Sequence, residues 1–319
     1  MKSSDCEQQL IPCEPVKLVP CYKDYLWGGS KLKMDFGKSD APDVCAESWE
    51  LSANPDGMTV TGRGLTLDDL KDFWGTSCPD EFPILVKLID AKDRLSIQVH
   101  PSDENVIEGE HGKSEMWYVV DAEPQSYIYF GFAKSISKDR FEAMANDGSI
   151  CEALNRVQVK KGDVFSIEPG TVHAIGAGIV IAEIQQNSNT TFRIFDYGRK
   201  DKDGKNRELK LERAKDVSNL EVTIPSECRA TGSMSFPEFS MTEMFVGRYF
   251  KAYKLDVKTE AKLTTDNSTF QHLLCVEGNG LLMAGENKLE IKKGDSYFIP
   301  AQLGEFELEG KMRVLISRV

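Results

Sequence analysis

Residues 159–169, VKKGDVFSIEP, and residues 291–300, IKKGDSYFIP, repeat one pattern at two places in the chain. In both, a Lys-Lys-Gly-Asp turn leads into a short apolar strand that ends at a proline. Upstream, residues 115–120 can be aligned with residues 271–276, which leaves about 24 additional residues inside the first copy. The repetition predicts two related β modules, the first of which contains an insertion.

Most of the remaining sequence is also patterned for strands. Short runs rich in Val, Ile, Phe and Tyr occur at residues 82–88, 95–99, 116–120, 127–130, 164–167, 179–184 and 191–195. Helical spacing is confined to residues 67–74, behind a capping box of Thr66 and Asp69, and to an insertion at about residues 135–157. Gly278-Asn279-Gly280 predicts a tight hairpin turn.

The predicted fold class is therefore mainly β, with two domains. The first covers residues 1–220 and the second covers residues 230–319. Polar sequence after residue 200 and a proline-flanked stretch at residues 225–237 connect them. A chain of 319 residues agrees with this division, because single hydrophobic cores tend to split beyond roughly 250 residues.

Composition disfavours several classes of function. Hydrophobic residues make up 40% of the chain and charged residues 28%, and no stretch approaches the ~20 apolar residues of a membrane helix. The 39 Lys and Arg residues are outnumbered by 51 Asp and Glu residues. The resulting net charge of −12 disfavours binding to nucleic acid or to an anionic membrane, so an anionic ligand needs a local basic pocket.

The cysteines and the amino terminus predict a cytoplasmic protein. Residues 1–10 are polar and lack the apolar core of a secretory signal. None of the eight cysteines belongs to a Cys-x-x-Cys pair. We therefore expect reduced thiols, and neither a thiolate zinc site nor a disulfide framework.

Four polar residues are candidates for a single metal site. Gln98 and His100 are two positions apart, so their side chains point to the same face of a strand. Glu115 begins the next apolar run, and His173 follows a proline-glycine turn. Two imidazoles, one carboxylate and one amide suit zinc or ferrous iron, and the lack of thiolates argues against a purely structural zinc site.

The order of these residues in a β-rich chain resembles the two-part metal signature of the cupin barrels. Here Gln replaces the first cupin histidine, and the Pro and Gly of the second part are adjacent. Residues 96–101 (SIQVHP), 112–118 (GKSEMWY), 169–174 (PGTVHA) and 187–199 further resemble successive motifs of the type I mannose-6-phosphate isomerases. ESWELS at residues 47–52 is similar to the amino-terminal region of that family. The resemblance runs from about residue 15 to 200, and the last 90 residues resemble the degenerate second cupin of the shorter bacterial members.

The resemblance implies an enzyme that interconverts mannose 6-phosphate and fructose 6-phosphate through a cis-enediol. It also implies one zinc ion per chain, bound by Gln98, His100, Glu115 and His173. Arg193 is the implied catalytic residue, and its permanent charge would stabilise the enediolate.

Further residues are implied to contact the substrate. Ser96 and Lys113 match family positions associated with the substrate and its phosphate, and we expect Lys113, with Ser96, to bind the phosphate. Arg199 lies where a basic residue near the phosphate is expected. The second module lacks these motifs and is expected to hold no metal. His111 and His272 are expected to be structural.

Two other functions stay open at this point. His100, Glu115 and His173 alone would satisfy the two-histidine, one-carboxylate triad of a ferrous dioxygenase, although Gln98 as a fourth ligand leaves less room for dioxygen. A sugar-phosphate-binding cupin without turnover is the other alternative, because a fold does not determine a function. The proton-transferring base is also open, with Lys113, a metal-bound water or a carboxylate as candidates.

Overall fold

The computed structural model describes residues 14–200, 203–225 and 232–319. The polar residues 1–10 lie outside these ranges, as do Cys6, Cys13 and Cys228. The other five cysteines are free thiols, at positions 21, 45, 78, 151 and 275. No helix among the described residues is long and apolar enough to cross a membrane.

The amino-terminal two thirds of the chain form strands with a few short helices. Two of the helical segments are 3-10 helices, at Asp68–Phe73 and Ser149–Ala153. The other elements are β1 (Val16–Val19), β2 (Cys21–Lys23), α1 (Lys31–Asp35), β3 (Glu47–Leu51), β4 (Val60–Thr61), β5 (Ile84–Ala91), β6 (Ile97–Val99), β7 (Glu115–Ala122), β8 (Tyr127–Phe132), α2 (Lys138–Asp147), β9 (Leu154–Gln158), β10 (Val164–Ile167), β11 (His173–Ile175), β12 (Ile179–Gln186), β13 (Phe192–Phe195) and α3 (Leu211–Val217).

The carboxy-terminal third consists of strands in its described part. They are β14 (Ser233–Ser235), β15 (Phe239–Val246), β16 (Lys251–Val257), β17 (Glu260–Thr265), β18 (Gln271–Ala284), β19 (Asn287–Lys292), β20 (Ser296–Ile299) and β21 (Gly304–Arg318).

Two antiparallel sheets form the first barrel. One has the strand order β10-β7-β12-β5-β3-β2, and the other has the order β13-β6-β11-β8-β9. An apolar cluster around Trp117, Phe130, Phe165 and Ile181 fills this barrel. Strands β5 and β12 are buried along their whole length, which explains why their sequences are nearly continuous apolar runs. Each strand that the periodicity predicts in this region is present.

The second barrel has its own apolar core, and it takes up strands from the amino terminus. Its ten-stranded sheet has the order β14-β15-β16-β21-β18-β20-β1-β4, with β17 paired to β21 and β19 paired to β18. Leu255, Leu273 and Val314 belong to its core. Val16 of β1 pairs with Phe298 of β20, so the first described strand of the chain belongs to the sheet of the carboxy-terminal barrel.

The two copies of the sequence repeat occupy equivalent places in the two barrels. Strand β7 pairs with β10 so that Glu115 lies opposite Ile167, and β18 pairs with β20 so that Gln271 lies opposite Ile299. Both Lys-Lys-Gly-Asp turns are closed by a hydrogen bond from the backbone N–H of the first lysine to the aspartate carboxylate, at 3.0 and 3.1 Å. The predicted class, a mainly β protein with two cupin-like barrels, is confirmed.

A third apolar cluster lies between the two barrels. It includes Trp74, Phe82, Phe270 and Phe298, whose successive ring centroids are 5.0, 5.1 and 5.2 Å apart. Ring pairs at these distances add to the stabilisation that comes from burial. The barrels are therefore joined by side-chain packing as well as by the crossing of β1.

Two details differ from the expectations. The insertion ends in a strand, because residues 154–158 pair with β8. Gly278-Asn279-Gly280 is not a turn, since β18 continues through it and the chain reverses only after Ala284. A Cβ atom at Gly280 would overlap the carbonyl oxygen of Glu309, so glycine there permits the close approach of β18 and β21.

Candidate metal centre and active site

Three buried side chains able to bind a metal converge inside the first barrel. His100 directly follows β6, while Glu115 and His173 are the first residues of β7 and β11. Nε2 of His100 is 3.6 Å from Glu115 Oε2, and Nε2 of His173 is 3.4 Å from Glu115 Oε1. Glu115 Oε1 is buried without a hydrogen-bond partner among the described residues. Lys113 pairs with Oε2 of this carboxylate, whereas a metal ion between the two imidazoles would satisfy Oε1, so the residues present fit a metal ion.

Backbone carbonyls hold both imidazoles in the tautomer that binds metal. Nδ1 of His100 lies 2.9 Å from the carbonyl oxygen of Thr190, and Nδ1 of His173 lies 2.9 Å from that of Thr171. A carbonyl only accepts, so each Nδ1 carries the proton and each Nε2 has the lone pair that can bind a metal. Burial lowers the pKa of both histidines, to about 4 for His173, and both rings are therefore neutral near pH 7.

Gln98 lies beside this cluster. It is opposite His173 in the ladder between β6 and β11, and its Nε2 is 3.4 Å from His173 Nε2. Rotation of the amide by 180° would bring its oxygen to that position, because the two ends of the amide have nearly the same shape. The structure thus brings together the four residues that were expected to bind zinc.

Lys113 lies against the metal-binding side chains. Its Nζ is 2.6 Å from Glu115 Oε2, 3.3 Å from His100 Nε2 and 3.4 Å from Glu183 Oε1. Burial would lower the pKa of Lys113, but Glu115 and Glu183 raise it to about 12, so the side chain is a cation. Burial, and then Glu183, raise the pKa of Glu115. A bound divalent cation would oppose that shift.

Glu183 is a functional candidate that the sequence analysis missed. It lies within β12, and its carboxylate accepts a hydrogen bond of 2.9 Å from Trp117 Nε1. Lys87 Nζ is 3.8 Å from the same carboxylate and 3.5 Å from that of Glu47. Burial would raise the pKa of Glu183, but Lys113 and Lys87 lower it, so the group is ionised. One sequence signal could have indicated Glu183, namely a single carboxylate within the apolar run IVIAEI. Burial of a charge is costly unless the charge is paired, so such a residue is expected to have a charged partner.

Arg193 approaches the cluster from the neighbouring strand. It lies opposite Gln98 in the ladder between β13 and β6. Its Nε donates to Ser96 Oγ at 3.3 Å, and Nη1 donates to the carbonyl oxygen of Glu208 at 2.9 Å. Burial lowers the pKa of Arg193, as does nearby Arg207, but a guanidinium stays charged at neutral pH. Residues opposite each other in a ladder share a face of the sheet, so this fixed positive charge lies on the same face as Gln98.

Two more arginines share the carboxylate of Asp196. Both Arg199 and Arg207 donate to its Oδ1, and Nε of Arg207 donates to Oδ2 at 2.7 Å. Burial would raise the pKa of Asp196, but these hydrogen bonds lower it. Arg199 was expected near the phosphate from the sequence, whereas no sequence motif indicated Arg207. Together with Arg193 they form a local basic patch on an acidic protein.

A cleft of about 1250 Å³ includes Thr190 in its lining, but none of the cluster side chains lines it. Loops at residues 53–56, 79–83 and 186–191 line it. Thr190 belongs to this lining, and its carbonyl also orients His100. A ligand in the cleft would therefore lie next to a residue that supports the metal centre.

The two remaining histidines lie outside the cluster. His111 is exposed, and its Nε2 is 3.6 Å from a carboxylate oxygen of Glu81. His272 is buried in the second barrel, where its ring nitrogens lie 2.7 Å from Ser296 Oγ and 3.2 Å from Ser317 Oγ. Burial lowers the pKa of His272 to about 3. Its contacts are those of a neutral structural histidine.

Comparison with known proteins identifies the family. Residues 16–128 match the family described as phosphomannose isomerase type I, catalytic domain, and residues 240–319 match the mannose-6-phosphate isomerase cupin domain. The mannose-6-phosphate isomerase ManA of Bacillus subtilis is 37% identical over 317 residues, which cover 96% of this chain and 99% of that protein. The chain belongs to the type I phosphomannose isomerases.

Other type I phosphomannose isomerases agree with this assignment. The mannose-6-phosphate isomerase of Streptococcus mutans is 33% identical, with 95% of this chain and 98% of that protein covered. The crystal structure of the Bacillus subtilis mannose 6-phosphate isomerase has a TM-score of 0.90 at 33% identity, and 96% of this chain and 99% of that chain are covered. The predicted family and enzyme class are confirmed, and the dioxygenase alternative is not favoured.

Proposed function

We propose that this chain interconverts mannose 6-phosphate and fructose 6-phosphate, with one zinc ion bound by Gln98, His100, Glu115 and His173. The observation that carries the proposal is the convergence of two neutral imidazoles on a buried carboxylate with an unpaired oxygen. Nitrogen and oxygen donors without thiolate match the donor sets of catalytic zinc. The family membership supports this reaction over other reactions of cupin metal sites.

Arg193 is suited to stabilise the enediolate. Isomerisation moves a proton between carbons 2 and 1 of the open-chain sugar, and negative charge develops on the two oxygens. Zinc at this site would supply a Lewis acid for those oxygens. The Arg193 guanidinium adds a preorganised positive charge, which Ser96 and the carbonyl of Glu208 hold in position.

Glu183 and Lys113 are suited to the proton transfer. In the metal-free site Glu115 and Glu183 keep Lys113 protonated, whereas the neighbouring carboxylate of Glu183 is ionised and can accept a proton. Lys113 holds this carboxylate at 3.4 Å and orients it. We therefore assign the base to Glu183, with Lys113 as its charged partner.

The position of Lys113 favours a contact with the sugar, and not the contact with the phosphate that was expected from the sequence. Its contacts with Glu115 and His100 support a position near the reacting carbons, whereas the phosphate is at the other end of the six-carbon sugar. Arg199, together with Arg207, is better placed for the phosphate, because both belong to the basic patch beside Arg193. Ser96 and Lys113 then contact the sugar.

The domain division and the location complete the proposal. We propose a catalytic, metal-binding domain at residues 1–220 and a metal-free domain at residues 230–319, in a cytoplasmic enzyme. The separate apolar cores of the two barrels support the division. The crossing of β1 means that neither domain is complete without the other part of the chain.

A turnover assay tests the proposed function. Purified protein should convert mannose 6-phosphate into fructose 6-phosphate, lose activity on chelation and regain it with zinc. Oxygen uptake by an iron-containing protein would contradict the proposal. So would binding of the sugar phosphate without turnover.

A further inference from the structure

The second barrel contains a pocket at the place that corresponds to the metal cluster of the first. This carboxy-terminal pocket has a volume of about 450 Å³, and its lining includes Gln271, Glu305 and Arg318. Gln271 corresponds to Glu115, because each lies opposite the isoleucine that ends a copy of the repeat strand. Glu305 corresponds to His173, because each follows that isoleucine by six residues.

The carboxy-terminal pocket is lined by two cationic side chains and by no histidine. Arg318 lies beside Gln271 in the pairing of β18 with β21, and its Nε is buried without a hydrogen-bond partner among the described residues. Lys262 of β17 also lines the pocket, and its side chain is exposed. Glu305 is the one carboxylate in this lining. The lining thus carries two cations and one carboxylate, and the carboxylate of Asp266, outside the lining, also interacts electrostatically with Arg318.

The rest of the lining suits a small organic molecule. Met241, Leu263, Ile316 and the ring of Tyr253 form an apolar wall. The guanidinium of Arg318 lies 5.6 Å from the centroid of the Tyr253 ring. Pockets with an apolar wall and a few convergent polar groups are typical of small-molecule sites, and guanidinium and ammonium groups together suit phosphate.

We propose that the carboxy-terminal pocket binds a phosphomonoester on a small, sugar-sized organic body. Arg318 and Lys262 bind the phosphate, whose two negative charges match the two cations. Gln271 and Glu305 bind hydroxyl groups, and the apolar wall contacts the carbon skeleton. This site is separate from the catalytic cluster, and its existence does not depend on the proposed mechanism.

Methyl NMR of the full-length, metal-containing protein tests the proposal, with the methyl group of Met241 as the reporter. The probe is glucitol 6-phosphate, which has no carbonyl group and cannot be isomerised. We expect a saturable shift of the Met241 signal. Lys262→Gln and Arg318→Gln should each weaken binding by about tenfold or more, since each removes a charge-assisted hydrogen bond. Lys288→Gln, which removes the same charge from an exposed position of β19 outside the pocket, should leave the affinity unchanged.

Several results would overturn the proposal. One is the absence of a saturable shift at probe concentrations up to about 10 mM. Others are an equal loss of affinity in Lys288→Gln, equal affinity for gluconate, which lacks phosphate, and equal affinity for inorganic phosphate, which lacks the organic body. Loss of the Met241 shift in His173→Ala would place the signal at the catalytic site instead. Because Lys262 is exposed, its variant is expected to fold, and the test decides even if Arg318→Gln does not fold.

Discussion

The two barrels share strand pairing and turn geometry, yet they differ at the four positions of the candidate metal site. In the second barrel the strand registers place Thr264, Asp266, Gln271 and Glu305 where the first has Gln98, His100, Glu115 and His173. None of these four replacements offers the imidazole nitrogen that catalytic zinc sites usually contain. The same scaffold therefore carries different chemistry through a few side chains.

The barrels also differ in what they bury next to these positions. In the first, Trp117 pairs across the sheet with Glu183, whose carboxylate interacts with Lys113. In the second, the equivalent pair is Leu273 and Ile316. Buried ion pairs contribute little to stability, because desolvation offsets their attraction, whereas buried apolar pairs stabilise directly. The first barrel thus has a buried ion pair where the second has apolar packing, as expected if Glu183 and Lys113 take part in the proposed reaction.

Loss of one imidazole of the first barrel should lower kcat/KM more than any other substitution considered below. His100→Ala removes a metal ligand, so we expect kcat/KM to fall by more than about 100-fold, beyond the usual effect of a residue that only supports a ligand. Asp266→Ala changes the corresponding position of the second barrel and should leave kcat/KM within about twofold of wild type. Steady-state kinetics on both variants would measure the difference. Comparable losses would mean that the two barrels are not functionally distinct at these positions.

Removal of the Arg193 guanidinium should affect catalysis without affecting the metal. We expect Arg193→Ala to lower kcat by about 10²–10³-fold while the zinc content and the fold are retained. Arg313→Ala, which removes an ion-paired arginine of the second barrel, is the matched control and should keep kcat. Near-normal turnover in Arg193→Ala would exclude this residue as the stabiliser of the enediolate.

Lys113→Met tests whether this side chain contacts the reacting carbons or the phosphate of the sugar. Its place beside Glu115 predicts that kcat/KM falls by about 10²-fold for mannose 6-phosphate and for unphosphorylated mannose alike. Arg207→Met should instead raise KM for the phosphorylated sugar only. Kinetics with both sugars would measure the two patterns. A loss of kcat/KM in Lys113→Met that is restricted to mannose 6-phosphate would mean that Lys113 binds the phosphate, as the sequence predicts.

The equivalent glycines of the two turns should respond differently to substitution. Both have positive φ, 93° at Gly162 and 92° at Gly294, so alanine at either costs about 1–2 kcal/mol in backbone strain. A Cβ at Gly162 meets open space, whereas a Cβ at Gly294 would overlap the carbonyl oxygen of Phe36. We therefore expect Gly294→Ala to lower the free energy of unfolding by roughly 3 kcal/mol or more, clearly beyond Gly162→Ala. Denaturant unfolding would compare them, and equal losses would show that the Phe36 contact does not constrain the turn.

Much of the fold was predictable because its signals are local. The Lys-Lys-Gly-Asp repeat predicted two barrels, since turn chemistry depends on adjacent residues. The pairing of Val16 with Phe298 joins residues at opposite ends of the chain, and no local pattern indicates it. The glycines of residues 278–280 were misread for a related reason. Their role depends on the close approach of β21, while glycine in a sequence marks a turn and a close backbone contact alike.

The site was predictable to the extent that it depends on residue type and spacing. Gln98 and His100 share a strand face, and histidine is scarce in this chain, so their selection followed from the sequence. The neighbourhood of Lys113 and Glu183 arises only when β12 pairs with β7. Arg207 likewise becomes part of the site through its contact with Asp196. These partners are set by tertiary pairing, which sequence spacing does not encode.

The metal content of the purified protein tests the central claim most directly, because that claim is that the first barrel binds zinc and the second does not. We predict about one zinc per chain in protein purified without added metal, and nearly none in His173→Ala, which removes a ligand of the first barrel. Elemental analysis of both proteins would decide. Two zinc ions per chain, iron in place of zinc, or full zinc content in His173→Ala would contradict the account.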